Sequence, residues 1–183
     1  MSVVALWRRL DTPGHDAALL ARTGLGWSLR GTAVFRHEAG PACISYALDL
    51  DPSWRTTRGE VRGFLAGRSV GHAITRGPEG WRLDGTPVAG LDGRLLDLDY
   101  GFTPATNLPQ LRRLGLAPGQ AAELPVVWFD LGPARLVELP QRYERRDGTT
   151  YRYTAPTVPY EGLLVLSRSG FVRSYPMLWE MEP

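Results

Sequence analysis

The chain contains no lysine; all twenty-one of its basic residues are arginine. Schiff-base chemistry and a lysine-based phosphate cradle are therefore excluded, and GC-rich codon usage accounts for the arginines without invoking function. Cysteine is almost absent too. The lone Cys43 cannot make an internal disulfide and lies in an apolar run, so a buried, inert thiol in a reducing compartment is expected. Nowhere are there eighteen consecutive apolar residues, and Met1 to Leu10, which mixes Trp7 with Arg8 and Arg9, has no apolar core of signal-peptide length. These absences read as a soluble cytoplasmic protein without membrane insertion. Nineteen acidic residues against the arginines leave a net charge of +2, too balanced for a protein that neutralises a run of nucleic-acid phosphates.

Local catalytic motifs are also missing. His15, His37 and His72 fall in unrelated segments with no spacing that puts two on one face, so no metal site is expected. There is no Gly-x-Ser-x-Gly elbow, no Gly-x-x-x-x-Gly-Lys loop and no paired-cysteine zinc spacing. No catalytic residue and no cofactor is assigned.

What is abundant is turn chemistry. Gly (21) and Pro (15) together make about a fifth of the 183 residues, against about 12% in average usage, and are spread along the chain. One domain over residues 1–183 is expected, long enough to bury roughly 70% of its unfolded surface. Between the turns, β-branched and aromatic residues alternate with polar ones at strand spacing: Val3–Arg9, Trp27–His37, Ala42–Leu50, Gly59–Leu65, Val70–Arg76, Trp81–Asp84, Arg94–Asp99, Leu124–Leu131, Arg135–Arg145, Thr150–Thr154, Leu163–Arg168 and Phe171–Tyr175. Asp147-Gly148 and Ser169-Gly170 read as two-residue hairpin turns of the primed type, so an antiparallel meander is predicted. One helix is predicted over Asn107–Leu116, with Pro109 in its first turn, Gly115 ending it and an apolar stripe of Leu108, Leu111 and Leu114. Asp16–Arg22 has helical propensity by local signals.

Several groups could carry chemistry. In a strand, Asp97 and Asp99 share one face opposite Leu96 and Leu98, as an acid and base pair would, or as solvated or arginine-paired carboxylates would. The run Thr103-Pro104-Ala105-Thr106-Asn107 reads as a capped turn leading to Arg112 and Arg113. Six tryptophans and seven tyrosines exceed what a core of this size plainly requires, and suit either that core or an apolar cavity with polar tips. Gln141, Tyr143 and Arg145 alternate on one strand face, with Tyr151 and Tyr153 across the next turn; amide, phenol and guanidinium together suit a sugar or headgroup, or an ordinary exposed hairpin.

The run from Leu95 to Leu114, with Asp97-Leu98-Asp99-Tyr100-Gly101-Phe102-Thr103-Pro104-Ala105-Thr106-Asn107 at its centre, resembles the signature of the Putative glycolipid-binding family. Asp51-Pro52-Ser53-Trp54-Arg55-Thr56-Thr57-Arg58, Gln141-Arg142-Tyr143-Glu144-Arg145 and Gly170–Trp179 resemble further segments of it, in order. The resemblance implies a mostly β fold: a long antiparallel sheet rolled around a single helix, a spiral β-roll related in shape to lipoprotein-carrier folds, found as a homodimer. It also implies that Asp16–Arg22 is strand, and that Arg112 or Arg113 meets Asp97 or Asp99 as a buried pair. The function expected is non-enzymatic binding of an amphiphile in an aromatic-lined concavity. Its tail would lie in the sheet and its head against Gln141, Tyr143, Arg145 and Tyr153. The ligand-binding candidates are Trp54, Arg58, Asp97, Asp99, Arg112, Arg113, Trp128, Gln141, Tyr143, Arg145, Tyr153 and Tyr175. A small enzyme or chemical chaperone acting on a hydrophobic metabolite is the alternative, and a dimeric structural protein without ligand a third.

Overall fold

The structure, a computed structural model, describes residues 2–183; Met1, at the head of the amino-terminal segment, lies outside them. Eight strands follow one another from the amino terminus: β1 (Ser2–Arg9), β2 (Gly14–Thr23), β3 (Gly26–His37), β4 (Gly40–Leu50), β5 (Thr56–Leu65), β6 (Arg68–Gly77), β7 (Gly80–Leu83) and β8 (Thr86–Pro87). Then come β9 (Leu98–Tyr100), the helix α1 (Asn107–Leu114), β10 (Ala121–Glu123), β11 (Val126–Asp130) and β12 (Arg135–Leu139). The chain ends with β13 (Arg142–Arg145), β14 (Thr150–Ala155), β15 (Tyr160–Leu166), β16 (Val172–Tyr175) and β17 (Trp179–Met181).

Fourteen strands form one antiparallel sheet in the order β10-β13-β14-β15-β16-β17-β1-β2-β3-β4-β5-β6-β7-β8. The carboxy-terminal meander is therefore stitched to the amino-terminal one by β17 against β1, with Trp7 opposite Met181. The edges β10 and β8 do not meet, so the sheet is a roll and not a closed barrel. Side-chain alternation decides which face turns inward. Along β4, Ala42, Ile44, Tyr46, Leu48 and Leu50 are buried while Ser45 and Asp49 point outward. A second sheet, β12-β11-β9 with β9 parallel to β11, contributes to the same core, as do Leu108 and Leu111 of α1. Trp7 belongs to this core, and its indole N–H donates to the Val172 carbonyl at 2.6 Å, so a large ring is buried without an orphaned donor.

The helix begins and ends close to where the spacing puts it, and Gly115 closes it at φ 56°. Asp16–Arg22 is strand, as the resemblance implies and against local propensity, because β2 is paired on both sides over its length. Four expectations are corrected. Arg135–Arg145 is two strands in different sheets, broken at Pro140, which has no N–H for a ladder. Arg94–Asp99 is mostly irregular, with only Leu98–Tyr100 in a strand. Neither hairpin has a two-residue primed turn: Gly148 has no positive φ and Asp147 Oδ1 instead accepts the Thr149 and Thr150 N–H groups at 2.8 Å, while Gly170 alone takes a positive φ (93°) at the other turn. Cys43 is only half-buried, on the outer face between Val34 of β3 and Phe64 of β5. Finally, the short strands β8, β10 and β17 carry too few residues for any periodicity to announce them.

Candidate ligand-binding site

The run from Thr103 to Asn107 does less capping than its composition predicts. Thr103 Oγ1 accepts the Ala105 N–H at 3.0 Å, but Thr106, at the start of α1, makes no side-chain cap. Its hydroxyl donates instead to Asp99 Oδ1 at 2.6 Å. Gln141 Nε2 donates to the other oxygen, Oδ2, at 2.7 Å. Each oxygen of Asp99 thus has one close side-chain donor, with the Gln110 side chain and the Tyr100 N–H also acting on the carboxyl, while an ionised carboxylate offers about four lone-pair sites. Burial pushes the Asp99 carboxyl above its ordinary range, against the pull of the Thr106 and Gln141 hydrogen bonds. Behind it, Asn107 Nδ2 donates to the Tyr143 hydroxyl at 2.8 Å, and that hydroxyl donates to Gln110 Oε1 at 2.9 Å.

In front of Asp99 a cavity of about 230 Å³ opens. Its polar side is Asp99, Thr103 and Asn107, supplied by β9 and the turn into α1. Its walls are rings: Trp128 from β11, Tyr153 from β14, Tyr160 from β15, Tyr175 from β16 and Trp179 from β17. The tyrosines touch one another, with centroids 5.8 Å apart for Tyr153 and Tyr160 and 5.1 Å for Tyr160 and Tyr175. Burial raises the Tyr160 phenol to about 12 and pushes Tyr153 and Tyr175 up further, so all three stay neutral donors at physiological pH. Gly101 sets one limit of the cavity: a Cβ there would lie 2.4 Å from Trp128 Nε1, so only glycine lets the indole lie against this turn.

A second buried acid lies one residue behind the wall. Asp16, on the inner face of β2, accepts the Tyr46 hydroxyl at 2.9 and 3.0 Å and the Thr103 hydroxyl. Among the described residues it has no cationic partner, and burial raises it to about 7. Thr103 therefore joins this acid to the cavity.

Of the twelve residues singled out in the sequence, Asp99, Trp128, Tyr153 and Tyr175 line the cavity. Gln141, just before β13, and Tyr143, within it, stand behind it with both side chains fully buried, so neither is on an open headgroup surface, whereas Arg145 at the end of the strand is half-buried. Asp97 and Arg113 are paired with each other. Arg58 lies exposed against Glu60, 3.1 Å away, with no part in the site. Trp54, Arg112 and Arg145 line clefts elsewhere. Most of the remaining rings, Trp7, Trp81, Tyr100 and Phe129 among them, are consumed by the core.

The sequence profile of the family described as Putative glycolipid-binding matches residues 4–181. The chain belongs to that family. A crystal structure of a DUF1089 family protein from Pseudomonas aeruginosa shares its fold, with a TM-score of 0.69 and 25% identity over 98% of this chain and 91% of that one. No curated protein matches the chain. In this family member, Thr103, Asn107 and Tyr160 line the cavity and Asp16 stands behind Thr103, four residues that sequence reading did not single out individually. Asp16 had a signal: with period two it falls on the same face as Ala18 and Leu20, an acid among inward apolar residues.

No helix among the described residues is long and apolar enough to cross a membrane.

Proposed function

We propose that this member of the family binds a glycolipid-like amphiphile without transforming it, with one sugar ring entering the tyrosine-lined cavity and the apolar chain leaving from its mouth. The observation that carries this reading is the cavity itself: a carboxylate, flanked by an asparagine and a threonine, at the base of walls made of aromatic rings. Hydroxyls of a sugar suit such acceptors and donors, and its apolar ring face suits the rings. At about 230 Å³ the cavity is smaller than the ~300–1,000 Å³ typical of drug-sized ligands, which favours one ring over a long acyl chain. Calorimetric titration with octyl glucoside, octyl phosphate and octanol tests it. Glucoside binding that weakens at least tenfold in Trp128→Ala supports the reading; equal binding of octanol, or none of the glucoside, sinks it.

One observation favours a second reading, a small enzyme: Asp99 is a cavity-lining carboxyl displaced upward by burial. Glycoside hydrolysis through paired carboxyls needs two, roughly 5 to 9.5 Å apart, and Asp99 is the only carboxyl lining this cavity among the described residues. Release of nitrophenol from nitrophenyl glycosides, lost in Asp99→Asn, would move the enzyme reading in front.

The same proposal takes the chain as one domain acting as a cytoplasmic homodimer. The unpaired Cys43 supports the compartment. Apolar side chains exposed on the outer face, Val4 and Leu19 on β1 and β2 and Val34 and Phe64 on β3 and β5, support a second copy there. Sedimentation equilibrium showing a monomer at micromolar concentration would remove the dimer. A dimer that binds no glycoside would leave a structural role without ligand.

A further inference from the structure

Three arginines border one cleft of about 380 Å³ between the end of α1 and the turns that follow β13 and β15: Arg112, Arg145 and Arg168. None is in an ion pair among the described residues, although fourteen such pairs occur elsewhere on the molecule. Two of the three are nevertheless held in place. Arg145 donates to the carbonyls of Leu116 at 2.6 Å, Asp147 at 2.9 Å and Gly148 at 2.8 Å. Arg112 donates to the Ser169 carbonyl at 3.0 Å, lying on Gly170, where a Cβ would approach its Nη2 to 2.9 Å. Neutral carbonyls orient a guanidinium without cancelling its charge, so the cleft presents positioned, uncompensated positive charge. Arg113 in the same helical turn shows the contrast: its charge is met by Asp97.

On the other side of Arg112 and Arg168 lies an adjoining, mainly apolar cleft of about 340 Å³, backed by Trp27 and Trp54. These two indoles stack at 4.3 Å between centroids and 17° between planes, and both remain half-exposed. Trp54 sits at φ 67°, a costly conformation for a bulky side chain, held by a turn in which Asp51 accepts the Trp54, Ser53 and Arg55 N–H groups. An apolar shelf and a cationic cleft therefore meet at the same two arginines.

We propose that this double cleft is a second ligand site, separate from the tyrosine-lined cavity, for an anionic amphiphile: a phosphate- or sulfate-type head between Arg112 and Arg168, within the field of Arg145, and an apolar or planar body on the Trp27 and Trp54 stack. It shares no lining residue with the first cavity, and it stands whether or not that cavity takes a sugar. The forked donors of guanidinium match the oxygens of such a head, and the indoles supply the area that a free inorganic anion could not use.

The test is calorimetry on the full chain with octyl phosphate, inorganic phosphate and octyl glucoside below their micelle concentrations. Octyl phosphate should bind at least tenfold tighter than inorganic phosphate. It should weaken at least tenfold in Arg112→Gln/Arg168→Gln and also in Trp54→Gly, and be unchanged in Trp128→Ala, which reports on the other cavity. Arg168 is exposed, and among the described residues its side chain makes no hydrogen bond, so Arg168→Gln alone should keep the native near-ultraviolet circular dichroism and still lose affinity. Octyl phosphate binding that survives the double arginine substitution overturns the proposal, as does inorganic phosphate binding equally tightly. Loss of glucoside binding in Trp128→Ala with octyl phosphate unaffected separates failure of one site from failure of the other.

Discussion

Arg113 closes on Asp97 from the last turn of α1, with Nη2 2.6 Å from Oδ2 and Nε 3.1 Å from both carboxylate oxygens. The Asp97 side chain is only 2% exposed, and that of Arg113 19%. The Asp97 carbonyl accepts the Val127 N–H at 2.9 Å, so this one residue ties the helix to the small sheet. Burial pushes the Asp97 carboxyl up and the guanidinium pulls it back.

Removing one partner strands a buried charge. Arg113→Met or Asp97→Ala alone should therefore cost about 3 kcal/mol or more, and the double substitution less than the sum. Denaturant unfolding of the four proteins checks this; strictly additive losses would mean that the two groups do not stabilise one another.

Asp16 should make stability depend on pH with an unusual sign. Its pKa is about 7 in the folded chain, against 3.8 as the ordinary value, so the native state binds the extra proton. This contribution to stability is full below pH ~4, is lost as pH rises toward ~7 and is flat above, a fall of about 4 kcal/mol at ~1.4 kcal/mol per unit. Asp16→Asn should remove that slope. Urea unfolding of both proteins from pH 4 to 8 measures it, and parallel slopes would show that Asp16 stays charged throughout.

Gly101→Ala should deform the tyrosine-lined cavity with little effect on the fold. The added Cβ meets the end of a half-exposed indole, Trp128, which can rotate away. A loss of about 1 kcal/mol or less in stability is expected, together with at least a tenfold weaker response to octyl glucoside. Calorimetry alongside thermal melting separates the two effects.

Cys43 should react with a thiol reagent under native conditions without waiting for global unfolding, because it is half-exposed on the outer face. Cys43→Ser should change stability by about 0.5 kcal/mol or less, as for a surface position. Labelling that tracks the unfolding rate would show the thiol to be covered.

The amino-acid pattern by itself determined the strand-rich architecture and the single helix. Period-two alternation and frequent Gly and Pro are local signals, and the Leu108, Leu111, Leu114 stripe needs only its own turn residues to be read. It also carried the motif that places the chain in its family, and narrowed the partner of the acids Asp97 and Asp99 to a few arginines. Which arginine met which acid was decided by tertiary structure: Arg113 reaches Asp97, whereas Asp99 receives neutral donors, Thr106 and Gln141 foremost, and among the described residues no arginine. The same holds for faces and for ends. Alternation shows that Gln141, Tyr143 and Arg145 share a side, but pairing of β13 with β14 and the curl of the roll decide that Gln141 and Tyr143 are interior while Arg145, at the strand end, reaches an open cleft. Pro140 turns one apparent strand into two that belong to different sheets, and no local signal states which sheet each joins. The tyrosine-lined cavity, finally, draws its lining from strands spread from β9 to β17, and groups that far apart along the chain are brought within hydrogen-bond and ring-contact range only by the order in which the strands pair.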